Sequence, residues 1–333
     1  MRGMKVLRLI ARVLASIAAF FCAVWALGAL YFDFPMINLR APAAVAFVLV
    51  LVGALIWIPG KLLKFAAAFG GFALVLCWWL TLKPTNDRQW QPDVDQLAWA
   101  EIDGDEVKVH NVRSCDYRTE TDFTPHWETR TIRLSQITGV DLAITYWGSP
   151  WIAHPIVSFR FANALPLCFS IETRKAIGQS YSALRGLYRQ YTLIYIVADE
   201  RDAIRVRSNY RHREDVYLYR TMVSPAEARA RFLEYLNTVN ALRDHPRWYN
   251  AITGNCTTSI RTQRSISERL PWNWRILLNG KADEMLYERH SIATGGLPFA
   301  ELRQRSLINQ RARAADQDQD FSRRIREGLP QGN

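Results

Sequence analysis

The residues best suited to do chemistry lie in the run Trp248 to Ile260, where Gly254 and Asn255 precede Cys256. Asn caps helix starts and Gly supplies free backbone angles, so the pair is expected to deliver Cys256 onto the first turn of a helix through Ser259, Ile260 and Arg261. The open N–H groups and positive dipole end of such a helix favour a thiolate and can hold the oxyanion of an acyl-transfer intermediate. The plainer reading is a small buried cysteine at a helix start.

A cysteine nucleophile needs a base within hydrogen-bond reach, and the base needs a third group to fix its tautomer. The chain has six histidines. His154, in Trp151-Ile152-Ala153-His154-Pro155, comes immediately before a strand, where a side chain can face a cleft. Glu172, near the end of the next strand, is placed to reach back toward the imidazole. His110 and His126 are the competing bases, and His212, His245 and His290 lie in polar surroundings that suit the surface. Taken singly, each histidine is more often structural than catalytic, and His154 leads the six only narrowly.

The elements that must position these groups are legible as an α+β pattern. Residues 156–161 and 167–172 are β-branched and aromatic runs joined by a turn at residues 162–166, which predicts an antiparallel hairpin. Further strands are expected within 98–112, with a turn at Asp103-Gly104-Asp105, and over 127–134, 139–146, 191–198 and 215–222. Ser224-Pro225-Ala226-Glu227 supplies an N-cap, a first-turn proline and a capping-box Glu for a helix that ends before His245-Pro246. Beyond Pro271 the chain reads as helical, and Asp316 to Asp320 opens a frayed polar tail.

The first quarter differs in kind. Three apolar stretches, at about residues 9–31, 43–59 and 62–82, approach or exceed the length needed to span hydrocarbon. The chain is therefore divided into a transmembrane anchor at 1–83 and an extracytoplasmic α+β domain at 84–330. The first stretch also has the charged flank of a signal peptide, but two more apolar runs follow at once. Arg2, Lys5, Arg8 and Arg12 precede the first span, and Lys61 with Lys64 fills the second turn, whereas the first loop has Asp33 and Arg40. That asymmetry puts the N-terminus in the cytoplasm and, after three crossings, the domain outside a bacterial inner membrane. The formal charge of +11 suits anionic headgroups beside such an anchor, and nucleic acid is not expected. No Cys/His spacing suggests zinc and no cofactor is expected, while Cys115 and Cys168 are left as a disulfide or two thiols.

The order of His, then a strand with a polar residue, then Asn-Cys at a helix start is similar to the circularly permuted papain-like enzymes. Lecithin:retinol acyltransferase and its phospholipid acyltransferase relatives share an Asn-Cys motif comparable to Asn255-Cys256. More specifically, residues 90–330 resemble the periplasmic domain of Lnb-type lipoprotein N-acyltransferases. The pieces that carry this are His154 with Val157-Ser158-Phe159, the run from Phe169 to Arg174, Glu200-Arg201-Asp202, Tyr249-Asn250, Asn255 to Thr258, and Gly296 to Phe299.

The resemblance implies a papain-like fold and a thiol acyltransferase in which Cys256 takes an acyl chain from a membrane lipid as a thioester. His154 would handle the proton and Glu172 would orient it, with Asn255 and Tyr249 in support. Arg174 and Arg201 are read either as phosphate binders or as braces between strands. The substrate implied is a membrane lipid or lipoprotein. This chain departs from the family in carrying three helices ahead of the domain. The alternatives are a cysteine peptidase or amidase acting on the cell wall, and a non-catalytic envelope scaffold that retains the fold.

Overall fold

The computed structural model describes residues 2–254, 260, 273–276 and 279–330. The chain divides into two compact units, one made of Met1–Thr85 with Tyr181–Tyr191 and Trp248–Asn250, the other of Asn86–Ser180, Thr192–Arg247 and Ala251–Asn333. Two short stretches of the sequence after residue 84 thus cluster with the N-terminal helices.

In the first unit, helices α1 (Arg2–Asp33), α2 (Arg40–Trp57) and α3 (Lys61–Thr81) are each long and apolar enough to cross a membrane. Their outward faces are apolar and exposed, as lipid-facing helices are. At the end of α1 the buried Asp33 carboxylate accepts from Trp79 Nε1 at 2.7 Å and from Gln190 Nε2 at 2.6 Å. Tyr188 packs beside Ala26, Ala29 and Val75. These contacts explain why Tyr181–Tyr191 clusters with the helices.

The second unit is built on an eight-stranded mixed sheet. Its strands are β1 (Trp99–Asp103), β2 (Glu106–Arg113), β5 (Trp127–Arg133), β6 (Ile137–Trp147), β7 (Ala153–Phe161), β8 (Leu167–Arg174), β9 (Thr192–Asp199) and β10 (Glu214–Arg220). They run in the order β1-β2-β9-β8-β7-β6-β10, with β5 pairing β2, and a separate ribbon joins β3 (Asp116–Tyr117) to β4 (Phe123–Thr124). All pairs are antiparallel except β2 with β9. The expected hairpin is β7–β8, and Gly104, at φ +56°, makes the β1–β2 turn.

Register sorts the side chains to two faces. One face carries Phe159, Phe161 and Phe169 against Phe232 and Tyr235 of helix α5 (Pro225–Asp244), with ring centroids 5.0 Å apart for Phe159–Phe232 and for Phe169–Tyr235. The Ser224 capping box starts that helix, worth about 1 kcal/mol. The other face carries Ala143, Ile156, Cys168, Ile194, Ile196 and Ala198, covered by Ala203, Ile204, Ile308, Ala312, Phe321, Ile325 and Leu329.

This overturns the expected frayed tail. Phe321, Ile325 and Leu329 recur every four residues and are buried, so the segment after Asp320 closes the core despite the polar run before it.

Candidate active site

His154 is set by its neighbours on both sides. Asn279 Oδ1 accepts the Ala153 N–H at 2.8 Å, and Gly280 donates its N–H to the Trp151 carbonyl at 3.0 Å. A Cβ on Gly280 would lie 2.3 Å from the Pro150 carbonyl oxygen, so only glycine permits this approach. The clamp fixes the entry of β7. From there His154 stands opposite Thr145 of β6, and continuing the Ile156–Ser170 register by two places sets it opposite Glu172 of β8. Thr145, His154, Ser170 and Glu172 therefore share one face of the sheet.

On that face the groups form a connected line. His154 Nε2 lies 2.7 Å from Ser170 Oγ, and Ser170 Oγ donates to Glu172 Oε1 at 2.7 Å. Serine has one hydroxyl proton, and the carboxylate takes it. Ser170 must then accept from Nε2–H, which leaves Nδ1 as the unprotonated nitrogen of the ring. Among the described residues, none hydrogen-bonds Nδ1.

The electrostatics agree. Burial, then the charges of Arg207 and Arg211, push His154 down to about 3, against a smaller upward pull from Glu172. Its ring is neutral at neutral pH. The 3.8 Å approach of Nε2 to Glu172 is thus not an ion pair, and coupling runs through Ser170. Glu172 is held well below the usual carboxylate range: burial opposes ionisation, and the arginine charges, led by Arg207 with Arg113 and Arg211 behind it, outweigh it.

Arg207 comes from a segment the sequence did not flag. Helix α4 (Glu200–Ala203) is capped by Asp199, which accepts from Asp202 N–H at 2.8 Å, and a π-helical turn follows over Val206–Tyr210. Both ends of α4 are tied down by buried ions. Glu200 meets Arg326 at 2.5 Å, and Asp202 meets Arg113 at 2.7 Å while accepting the Cys115 N–H at 2.7 Å. The Glu200-Arg201-Asp202 piece thus anchors the segment that carries Arg207 over His154.

The remaining sequence candidates are placed as follows. Arg174 is buried, stacks 4.3 Å over Trp90 and donates to the Val94 and Asp95 carbonyls at 2.9 and 2.6 Å. Arg201 donates to the carbonyls of Asp316 and Asp318. Both are engaged as braces. Tyr249 belongs to the unit of the apolar helices, where its N–H donates to the Tyr191 carbonyl at 3.0 Å. His110 stacks on Trp99 and hydrogen-bonds Thr129, and His126 is exposed. Asn255 and Cys256 lie outside the described residues, whereas Ile260 is helical. Cys115 and Cys168 are both buried free thiols; burial first, then Asp202, pushes the Cys115 thiol up to about 12.

Two functional neighbours were missed. Ser170 had a usable signal, since it lies two residues from Glu172 and so shares its face of the strand. Arg207 had none, since it is one of several arginines in the polar run from Arg201 to Arg213.

Residues 123–280 match the family described as the Lnb N-terminal periplasmic domain. No curated protein and no solved structure matches the chain. The family match and three helices long and apolar enough to span a bilayer fit a multi-pass membrane protein with a periplasmic domain of Lnb type.

Proposed function

We propose that this chain is a membrane-anchored thiol acyltransferase or lipid acyl hydrolase with a permuted papain-like site, using Cys256 as nucleophile and His154 as base. The observation that carries this is the His154–Ser170–Glu172 line, because it leaves Nδ1 as an unprotonated nitrogen on a fixed ring. The Asn255-Cys256 motif, which falls within the residues that match the Lnb-type family, supports Cys256 as the thiol partner. The basic N-terminal flank supports a cytoplasmic N-terminus, with the domain on the outer side of an inner membrane.

In this reading the Cys256 proton passes to Nδ1 as sulfur attacks an ester carbonyl of a membrane lipid. The C–O bond breaks, the lipid alkoxide takes the proton from Nδ1, and a thioester remains on Cys256. An amine of an acceptor, or water, then gives a proton to Nδ1 and attacks the thioester, and sulfur leaves as thiolate to be reprotonated. The low basicity of His154 means that imidazolium forms only as negative charge appears beside it, with Glu172 stabilising it through Ser170. A bilayer anchor lets an embedded donor arrive by lateral diffusion, which lowers the entropy lost in reaching the thiol.

Cys256→Ala should lower acyl release from lipid extracts by about 10³-fold or more while the protein still inserts and melts normally. Wild-type turnover in that variant would remove the proposal. Turnover of cell-wall peptide in place of lipid would move the reading to the amidase.

A further inference from the structure

The His154 line does not end at Glu172. Arg207 is buried and reaches Glu172 Oε1 through Nη2 at 3.2 Å. Its Nη1 reaches Glu214 Oε2 at 3.2 Å and Thr145 Oγ1 at 3.4 Å. Those three partners come from β8, β10 and β6, so a single guanidinium ties the face on which His154 stands. Its placement depends on the π-helical turn, closed by the Arg211 N–H to Val206 carbonyl bond at 2.9 Å. Arg207 and Arg211, four residues apart, both meet Glu214.

The proton count gives this contact a consequence. Ser170 can accept from Nε2–H only while its own proton points to Glu172; an ionised Glu172 is acceptor-only and enforces this, whereas a protonated one could donate to Ser170 and turn the serine proton toward Nε2. We propose that Arg207 is a positioning residue of the His154 site: held between Glu172 and Glu214, it keeps Glu172 in the form that takes the Ser170 proton and so keeps the Nδ1 lone pair of His154 free. The inference rests on reading His154 as the base, and it adds a residue that never touches substrate.

The charged groups facing this cluster are Arg113 from β2, Arg211 from the same turn, Asp93 ahead of β1, and Glu120, which meets Arg211 at 3.4 Å. Arg113 and Arg211 act on Glu172 in the same sense as Arg207 but do not contact it. Removing Arg207 therefore takes away the one direct cationic partner of that carboxylate among the described residues.

The test is nitrogen NMR of imidazole-labelled full-length protein in detergent, with His154 assigned by its loss in His154→Gln. Wild type should show a single neutral tautomer with the proton on Nε2. Arg207→Met and Arg207→Gln should show a mixture of tautomers and an upward shift of the His154 midpoint by about one pH unit or more, since a like charge beside the ring is gone. Arg207→Lys should restore the single tautomer. Arg207→Gln retains hydrogen-bond donors, so it reports even where the Met variant fails to fold.

A folded, charge-free variant with the wild-type tautomer and midpoint would overturn the proposal, and so would a folded Lys variant that fails to restore them. Recording the spectra again in Cys256→Ala separates this from the thiol chemistry. The tautomer result stands whether or not Cys256 is a nucleophile.

Discussion

The same face of the sheet holds two arginines that each bridge two carboxylates, Arg207 buried and Arg326 partly buried. Arg326 meets Asp141 at 2.8 Å and Glu200 at 2.5 Å, and Ser158 donates to Glu200 at 2.5 Å. Arg207 meets Glu172 and Glu214, and Ser170 donates to Glu172. The two assemblies differ in what stands beside the serine. Opposite Ser158 is the Cys168 thiol, which burial and Glu200 push far above its ordinary range, so that line ends in an inert group. Beside Ser170 is an imidazole whose other nitrogen is bonded by none of the described residues. Similar ion-pair chemistry braces the core in one place and, in the proposed reading, orients a base in the other.

Acid should break the comparison first. The His154 value in the folded protein, about 3, lies below its ordinary 6.5. Its contribution to stability is therefore complete above 6.5 and is lost as pH falls toward 3, by about 1.4 kcal/mol per unit of pH at most. Glu172, also depressed, adds a loss of the same sign below its ordinary 4.5. Thermal melts in detergent across this range should show a steep acid limb for wild type and a shallower one for His154→Gln. Equal limbs would mean that His154 is not held neutral by the fold.

The two serines sharpen the contrast. Ser170→Ala should reduce turnover by about 10²-fold, because the ring loses the partner that fixes its tautomer. Ser158→Ala should leave turnover unchanged and cost about 1–2 kcal/mol of stability, as a buried Glu200 oxygen loses one donor. Turnover assays beside melts of both variants read this directly, and matching effects would erase the distinction.

Much of this site could be read from residue order alone. The β7–β8 hairpin was legible because β-branched and aromatic residues fill both strands, and that hairpin carries His154 and Glu172. Ser170 was not singled out although it lies two residues from Glu172 on the same strand face, because its link to His154 shows only once β7 and β8 are set in register. Arg207 depends on a π-turn that local propensity does not encode, and on carboxylates 35 residues before it and 7 after. The C-terminal stretch was misread because the acidic run around Asp318 masked the spacing of Phe321, Ile325 and Leu329. Polar composition lost there to the burial of three side chains.

The central claim is that His154 acts on Cys256, and trapping the intermediate tests it most directly. Intact-protein mass spectrometry after incubation with phospholipid should find an acyl mass on Cys256 that hydroxylamine releases, strongly reduced in His154→Gln and absent in Cys256→Ala. An unmodified thiol in wild type under turnover conditions, or an equal adduct in His154→Gln, would contradict the account.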